Sequence, residues 1–240
     1  MTGDINPNLS VAEQEQLFDQ LLSKVHPDEL LWRQHFTTIS TCIGSRRPAG
    51  GIIACNEFLS SPVPDATKAK RQALALDCEM VGVESGLKEL AYLAVVDILT
   101  GEVLVNAFVS PTRVVQKWNT RWSGIRYTDM KTAVKKRVAI KGWKAARSML
   151  FEHMDSKTIL AGHALHNDLN VLGILHPTIV DTAIMSADEV YRPLGRPFRR
   201  TWSLKSLTND ILGYEIQGER RGHSALEDTV ATRGLLIHCN

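Results

Sequence analysis

The sequence predicts an α/β protein in which a mixed five-stranded sheet is flanked by helices and preceded by a small helical extension. Three observations lead there. From residue 72 three β-rich runs follow closely: LALDCEMVGV (74–83), ELAYLAVVDI (89–98) and EVLVNAFVS (102–110). The turns between them, 84–88 and 99–101, are too short for a parallel crossover, so the three form an antiparallel meander. Two further strand-like runs, TILAGHA (158–164) and TIVDT (178–182), alternate with helical stretches. A meander followed by alternating β and α units gives a mixed sheet with helices on its faces.

The elements can be justified in chain order. Residues 1–9 carry no pattern and are expected to be disordered. Ser10 followed by Glu13 is a capping-box signature, and it opens a helix in which Val11, Phe18, Leu21, Leu22 and Val25 recur at helical spacing. Pro27 ends it, and a second short helix is expected over 28–36. Residues 37–70 are rich in Ser, Thr, Gly and Pro and read as an irregular linker. Residues 1–71 are therefore assigned as an extension and 72–240 as the main domain, the extension packing on that domain or binding a protein partner that the sequence does not identify. After the meander, helices are expected from about residue 128, over 142–153, over 166–175, over SLKSLTNDIL (203–212) up to Gly213, and over 224–238.

Composition narrows the function classes. At 240 residues with 44% hydrophobic content the chain can bury a proper core. No apolar run approaches the ~20 residues that span a bilayer, and no basic-then-apolar leader opens the chain, so no membrane partner is expected. Cys42, Cys55, Cys78 and Cys239 form no CxxC pair, which argues against structural zinc. The net charge of +2 hides an uneven distribution. Residues 1–30 hold six acids and one lysine, whereas 112–147 hold eleven Lys or Arg against Asp129 alone. Such a block is a candidate polyanion-binding surface or a solvated helix face.

The candidate chemistry begins with Asp77 and Glu79. Strand side chains alternate, so these two carboxylates share a face while Cys78 points to the other. Acids on one face repel unless a cation neutralises them, and hard oxygen ligands select Mg²⁺ or Mn²⁺. A solvated pair at a strand end is the plainer alternative. Asp168, in GHALHNDL, begins the helix after the fourth strand. It reaches the same edge if the first and fourth strands are neighbours, although an aspartate in a first helical turn also serves the helix dipole. Ser224 and Glu227 form a second capping box, with Asp228 about one turn into the last helix and His223 just ahead of the cap.

DCEMVG, GHALHNDL and HSALEDT, in this order and at these separations, resemble the three motifs of the DEDDh family of 3′→5′ exonucleases. TRWSGI (120–125) and HPTIVDT (176–182) resemble the branch that holds RNA exonuclease 4 and the interferon-stimulated exonuclease. The resemblance covers roughly residues 72–238 and implies a ribonuclease H-like fold. By position it implies that Asp77, Glu79, Asp168 and Asp228 are the metal-binding acids and His223 the catalytic histidine. It also implies two divalent ions, Mg²⁺ or Mn²⁺, with Asp77 bridging both, Glu79 and Asp228 completing the water-activating site and Asp168 supporting the second ion. Two such ions about 3.5–4 Å apart activate water and stabilise the leaving oxygen. Imidazole, which titrates near neutrality, suits the proton acceptor.

Substrate contacts follow from the same motifs. Met80 is placed against the terminal sugar or base, or in the core. Ile125 is expected to stack on the terminal base and Arg121 to track phosphates. His163 and Asn167 flank Asp168, either against substrate or in local hydrogen bonds. The chain departs from the branch at three positions. Trp118-Asn119-Thr120-Arg121 lacks the first arginine of the usual run, Tyr92 replaces an arginine in the second strand, and Val180 replaces the arginine before Asp181. These losses bear on 2′-hydroxyl recognition. The expected partner is single-stranded nucleic acid, RNA favoured, with a DNA-preferring enzyme and a catalytically idle binding module as alternatives. The KKR run (135–137) and the family point to the nucleus, with the cytosol left open.

Overall fold

The computed structural model describes residues 7–44, 46–48, 50–196, 198, 200–218 and 222–239. The extension supplies α1 (Val11–Ser23), α2 (Asp28–Arg33) and a short strand β1 (Leu59–Ser60). The meander is β2 (Ala73–Gly82), β3 (Lys88–Asp97) and β4 (Val103–Ser110). Then come α3 (Thr120–Ser123), α4 (Tyr127–Lys135), β5 (Ile140–Lys141), α5 (Gly142–His153), β6 (Ile159–Gly162), α6 (His166–Leu172), β7 (Ile174–Leu175), β8 (Ile179–Asp181), α7 (Thr182–Tyr191), α8 (Leu204–Leu207) and α9 (Ala225–His238).

The main sheet runs β5-β4-β3-β2-β6-β8. β2, β3 and β4 pair antiparallel, while β6 lies parallel to β2 and β8 parallel to β6. The first and fourth predicted strands are therefore neighbours, and their carboxyl ends share one edge. The expected five strands become six, because β5 joins the edge beside β4. A two-residue strand has no alternation to read, and only its pairing with Val109 and Ser110 defines it. Similarly, β1 pairs with β7 in a separate two-stranded sheet.

Two helical expectations also change. The stretch after TIVDT contains α7, a helix beyond those expected; Asp181 caps it by accepting from Ala183 N and Ile184 N. SLKSLTNDIL forms one α-helical turn and then a wider π turn over Thr208–Leu212, closed by Gly213 at φ +73°. The expected stop at Gly213 holds because an L side chain is disfavoured there.

The extension shares the cores of the main sheet. The Ser10–Glu13 capping box forms, with Ser10 N donating to Glu13 Oε2 at 2.7 Å. Of the apolar stripe, Leu21 is fully buried and joined by Leu17, whereas Val11 and Leu22 remain exposed. Leu17 and Leu21 pack with Ala73, Ala75, Ile159 and Leu236. A fully buried leucine contributes about 2 kcal/mol. Leu31, Phe36, Ile52, Ile53 and Phe58 enter the largest core, so the irregular stretch 37–70 is packed along part of its length. Buried polar groups tie the pieces together. Arg147 donates to Glu57 O and Gly173 O, both at 2.8 Å, and Arg233 joins α9 to Ile98 O and Pro7 O. The basic block is thus not one uniform surface: Arg147 is buried within it, and Arg113 pairs with Glu84 at 2.7 Å. Among the described residues, no helix is long and apolar enough to cross a membrane.

Candidate active site

β2 delivers the first two carboxylates. Its alternating alanines and leucines bury both faces over Ala73–Leu76, and Asp77 and Glu79 emerge where the strand reaches the sheet edge. The β2–β3 register slips between Glu79 and Met80, leaving Ala91 as an extra residue on β3. Bulges of this kind bend a strand and re-aim its side chains. Cys78 points into the core, as alternation requires. Its backbone N–H, however, donates to Asp168 Oδ1 at 2.9 Å, which fastens the third acid directly beside Asp77.

Asp168 is delivered by a tight turn between β6 and α6. Ala164 sits in the left-handed region at φ +56°, and a side chain on Gly162 would meet Leu165 Cδ1 at 2.6 Å. The turn is pinned by Asp181, whose carboxylate accepts from Ala164 N at 3.2 Å and Leu165 N at 2.7 Å. His26 of the extension in turn accepts from Asp181 N at 2.9 Å. Thus β8 and the extension both buttress the turn that carries Asp168.

Asp228 lies in the first turn of α9, where Ser224 Oγ accepts from Glu227 N. The second half of the expected capping box is absent, because Glu227 Oε2 instead accepts from Gln217 N at 3.0 Å. Gln217 Nε2 also donates to Asp228 Oδ2 at 2.9 Å, while Asp228 Oδ1 is buried without a hydrogen-bond partner. Gln217 carries no signal in the sequence and enters only through the fold. His223 stands 3.5 Å from Asp228 Oδ2 through Nδ1. Ligand atoms of Glu79, His223 and Asp228 lie within 4.8 Å of one another.

The TRWSGI segment turns out to scaffold His223. Asn119 and Gly124 take left-handed conformations at either end of α3. Gly222, at φ +70°, packs so closely that an added Cβ would lie 2.6 Å from Thr120 O. His223 N donates to Trp122 O at 2.8 Å, and the two rings meet edge to face at 6.4 Å. Only glycine fits at position 222, and it brings His223 to the carboxylates.

The electrostatics are those of crowded acids. Burial, then the carboxylates of Asp168, Asp228 and Glu79, push Asp77 well above the usual range. Glu79 rises to about 9, through burial first and then Asp228 and Asp168. Asp168 is also raised, chiefly by burial, against the pull of the Cys78 N–H bond. Groups in this state hold protons unless a cation replaces them. The donor set suits a hard divalent cation: carboxylate oxygens, one of them unpartnered, gathered at one edge with an imidazole beside them.

The predicted substrate residues fall in different places. Ile125 is buried with Val81, Ala91 and Met130, at the wall of a pocket of about 150 Å³ that also includes Glu79, Tyr92 and His223. Tyr92, one of the departures, donates to Asn106 Oδ1 and packs edge to face on Phe108, while Val180 is fully buried. Met80 is half-buried against the largest core. Arg121 is exposed, with its guanidinium 5.4 Å from the Trp122 ring centre. His163 is engaged internally: the Thr182 hydroxyl donates to Gly162 O, so His163 Nδ1 is the donor in its 2.9 Å bond to Thr182. Asn167 is exposed and donates to Ala164 O.

Comparison with known proteins identifies the family. The exonuclease family profile RNase_T matches residues 74–236. RNA exonuclease 3 of Candida albicans is 36% identical over 168 residues, which is 69% of this chain and 37% of that protein. The human interferon-stimulated 20 kDa exonuclease-like 2 is 34% identical over 170 residues, 70% of this chain and 46% of that protein. The chain therefore spans less than half the length of these relatives. Among solved structures, the Neurospora crassa Pan2 catalytic unit superposes with a TM-score of 0.60 at 20% identity, covering 85% of this chain and 30% of that one, which supports the ribonuclease H-like fold. With its motif-bearing strands and helices assembled at one sheet edge, this chain belongs to the RNase_T family of exonucleases.

Proposed function

We propose that the protein is a metal-dependent 3′→5′ exonuclease of single-stranded nucleic acid, with RNA favoured over DNA. The observation that carries this reading is the convergence of Asp77, Glu79, Asp168 and Asp228 with His223 at one edge, where three carboxyls are held above their ordinary range. Asp77, Glu79, Asp168 and Asp228 would hold divalent ions, Mg²⁺ or Mn²⁺, which when bound supply an activated water and neutralise the phosphate. His223, whose Nδ1 stands 3.5 Å from Asp228 Oδ2, is the group placed to accept a proton from the attacking water. Gln217 orients Asp228, and the Trp122 carbonyl and Gly222 orient His223. The small pocket walled by Ile125, Tyr92 and Phe108 suits one chain-end nucleotide, which favours exonucleolytic over internal cleavage. The name of the Candida albicans relative, RNA exonuclease 3, and the Saccharomyces cerevisiae Pan2 module solved with RNA favour RNA.

The test is an assay with 5′-labelled single-stranded RNA and DNA of one sequence, in Mg²⁺, in Mn²⁺ and in EDTA. The expected result is a ladder shortening from the 3′ end, abolished by EDTA and by Asp77→Ala, with RNA the faster substrate. His223→Ala is expected to stay folded and lose about 10²–10⁴-fold in rate. Binding without shortening in either metal would replace the enzyme with an idle binding module, and faster DNA digestion would reverse the substrate preference.

A further inference from the structure

The extension and α6 enclose a second cavity, of about 550 Å³, walled by Trp32, His35, Arg46, Arg47, His166 and Asn167 among others. All but His166, Asn167 and Asn170 lie before residue 72, outside the stretch the exonuclease profile matches. Its chemistry is one-sided. No acidic residue lines it, and among the described residues neither Arg46 nor Arg47 has a carboxylate at ion-pair distance. Arg46 and Arg47 are both exposed residues, and Trp32 is 58% exposed, a large apolar ring left open at a cationic rim.

The backbone holds this arrangement in place. After α2 the chain turns through His35 at φ +68°, a left-handed conformation where glycine normally ends a helix. Phe36 N returns to Leu31 O at 3.0 Å, so Phe36 is driven into the core and the His35 ring is held over the cavity, 6.5 Å from His166. Thr37 donates to Asn170 Oδ1 at 2.8 Å and fastens this turn to α6. A bulky residue at a glycine-type position keeps an aromatic ring where a smaller residue would relieve the backbone.

The cavity is lined by the same helix, α6, that carries Asp168. His166 and Asn167 line it, while the next residue, Asp168, is buried at the catalytic edge. One helix, about 10 Å across, separates the two. We propose that this groove binds the single-stranded nucleic acid upstream of the scissile bond, its phosphates against Arg46 and Arg47 and a base against Trp32 and His35. Cationic side chains interleaved with open aromatic faces are what a sequence-tolerant single-strand site requires. The inference rests on the exonuclease reading for its direction, and it makes the extension part of substrate binding.

The test uses the full chain and two probes. Anisotropy in EDTA compares 5′-fluorescein RNA of three and of ten nucleotides. Hydrolysis of the 4-nitrophenyl ester of a nucleoside 5′-phosphate, in Mn²⁺, reports on the carboxylate site alone. The wild type is expected to bind the ten-mer at least about tenfold more tightly than the three-mer. In Arg46→Glu/Arg47→Glu that ratio falls to near one, the salt dependence of ten-mer binding flattens by about 1.4 in log–log slope, and ester turnover stays within about twofold. Trp32→Ala, which removes no charge, reduces the ratio with the salt slope unchanged and serves if the double variant does not fold. An unchanged ratio in both folded variants overturns the groove. Loss of ester and RNA hydrolysis in the wild type overturns the exonuclease reading instead, and the anisotropy ratio still decides the groove.

Discussion

Asp181 and Asp228 are both buried aspartates near helix starts, 1% and 4% exposed, yet their surroundings are opposite. Asp181 accepts from four backbone N–H groups, of Ala164, Leu165, Ala183 and Ile184. Its charge is spread over donors from two separate turns, so it acts as a bolt between β6–α6 and β8–α7. Asp228 has one bond from Gln217, a histidine at 3.5 Å and an oxygen with no partner, beside other acids. Burying a charge is tolerated where it is fully hydrogen-bonded and unfavourable where it is not. The difference teaches how to tell a structural acid from a candidate ligand: the one is complete within the chain, and the other keeps a buried oxygen without a partner.

Exchanging each aspartate for asparagine breaks the comparison most severely. Asp228→Asn is expected to lose at least about 10²–10³-fold in exonuclease rate, the scale for removing one electrostatic group, while stability in EDTA stays within about 1 kcal/mol of the wild type. Asp181→Asn turns amide hydrogens toward backbone donors and is expected to lose roughly 3 kcal/mol. That lowers Tm by about 6–12 °C in a chain of this size. Calorimetry in EDTA beside a rate assay at low temperature checks both. If Asp228→Asn proved the more destabilised of the two, the distinction would be wrong.

His176 sharpens the structural side of the contrast. Its Nε2 donates to Thr158 O and its Nδ1 accepts from the Ser61 hydroxyl, each at 2.8 Å. Burial first, against the pull of the Thr158 and Thr178 backbone, brings its pKa down to about 4. The unfolded chain takes up this proton near pH 6.5, the folded chain only near 4. Between those values the unfolded state binds more protons, so stability is complete above about 6.5 and falls as pH drops toward 4. The full difference is on the order of 3 kcal/mol. Urea midpoints at pH 7 and pH 4.5 should show it, and His176→Gln should flatten the difference. An equally steep fall in that variant would assign the acid sensitivity elsewhere.

The smallest effect expected is the gain in stability from metal. Mg²⁺ or Mn²⁺ at about 100 times its Kd should stabilise the wild type by about 2.7 kcal/mol. Asp181→Asn should keep most of that gain and Asp228→Asn lose most of it. A gain of the same size in Asp228→Asn would remove Asp228 from the ligand set.

Several parts of this picture were legible beforehand for a local reason. The meander followed from alternation and short turns, the last helix from Ser224, and the pairing of Asp77 with Glu79 from the two-residue period of a strand. What escaped lacks a local pattern. β5 and β7 are two residues long and exist only through their partners. α7 has only a half signal: Asp181 is a good cap residue, but it also ends the strand pattern TIVDT, and Ile184 at the third helical position completes no capping box. Gln217 precedes Asp228 by 11 residues at no helical or strand spacing, and only the loop ahead of α9 brings it to the carboxylate.

By itself, then, the sequence determined which residue types stand at strand ends and helix starts, because periodicity and capping are properties of neighbours along the chain. The tertiary structure alone decided how those acids differ. Asp181 and Asp228 look alike as letters in HPTIVDT and HSALEDT, and only the donors that other segments bring, four to one and one to the other, separate them. The same holds for residues 7–71, where polar and apolar residues become core, buttress or groove according to what β6, α6 and α9 present to them. Burial and hydrogen-bond completeness depend on segments far apart in the chain, and no local pattern encodes them.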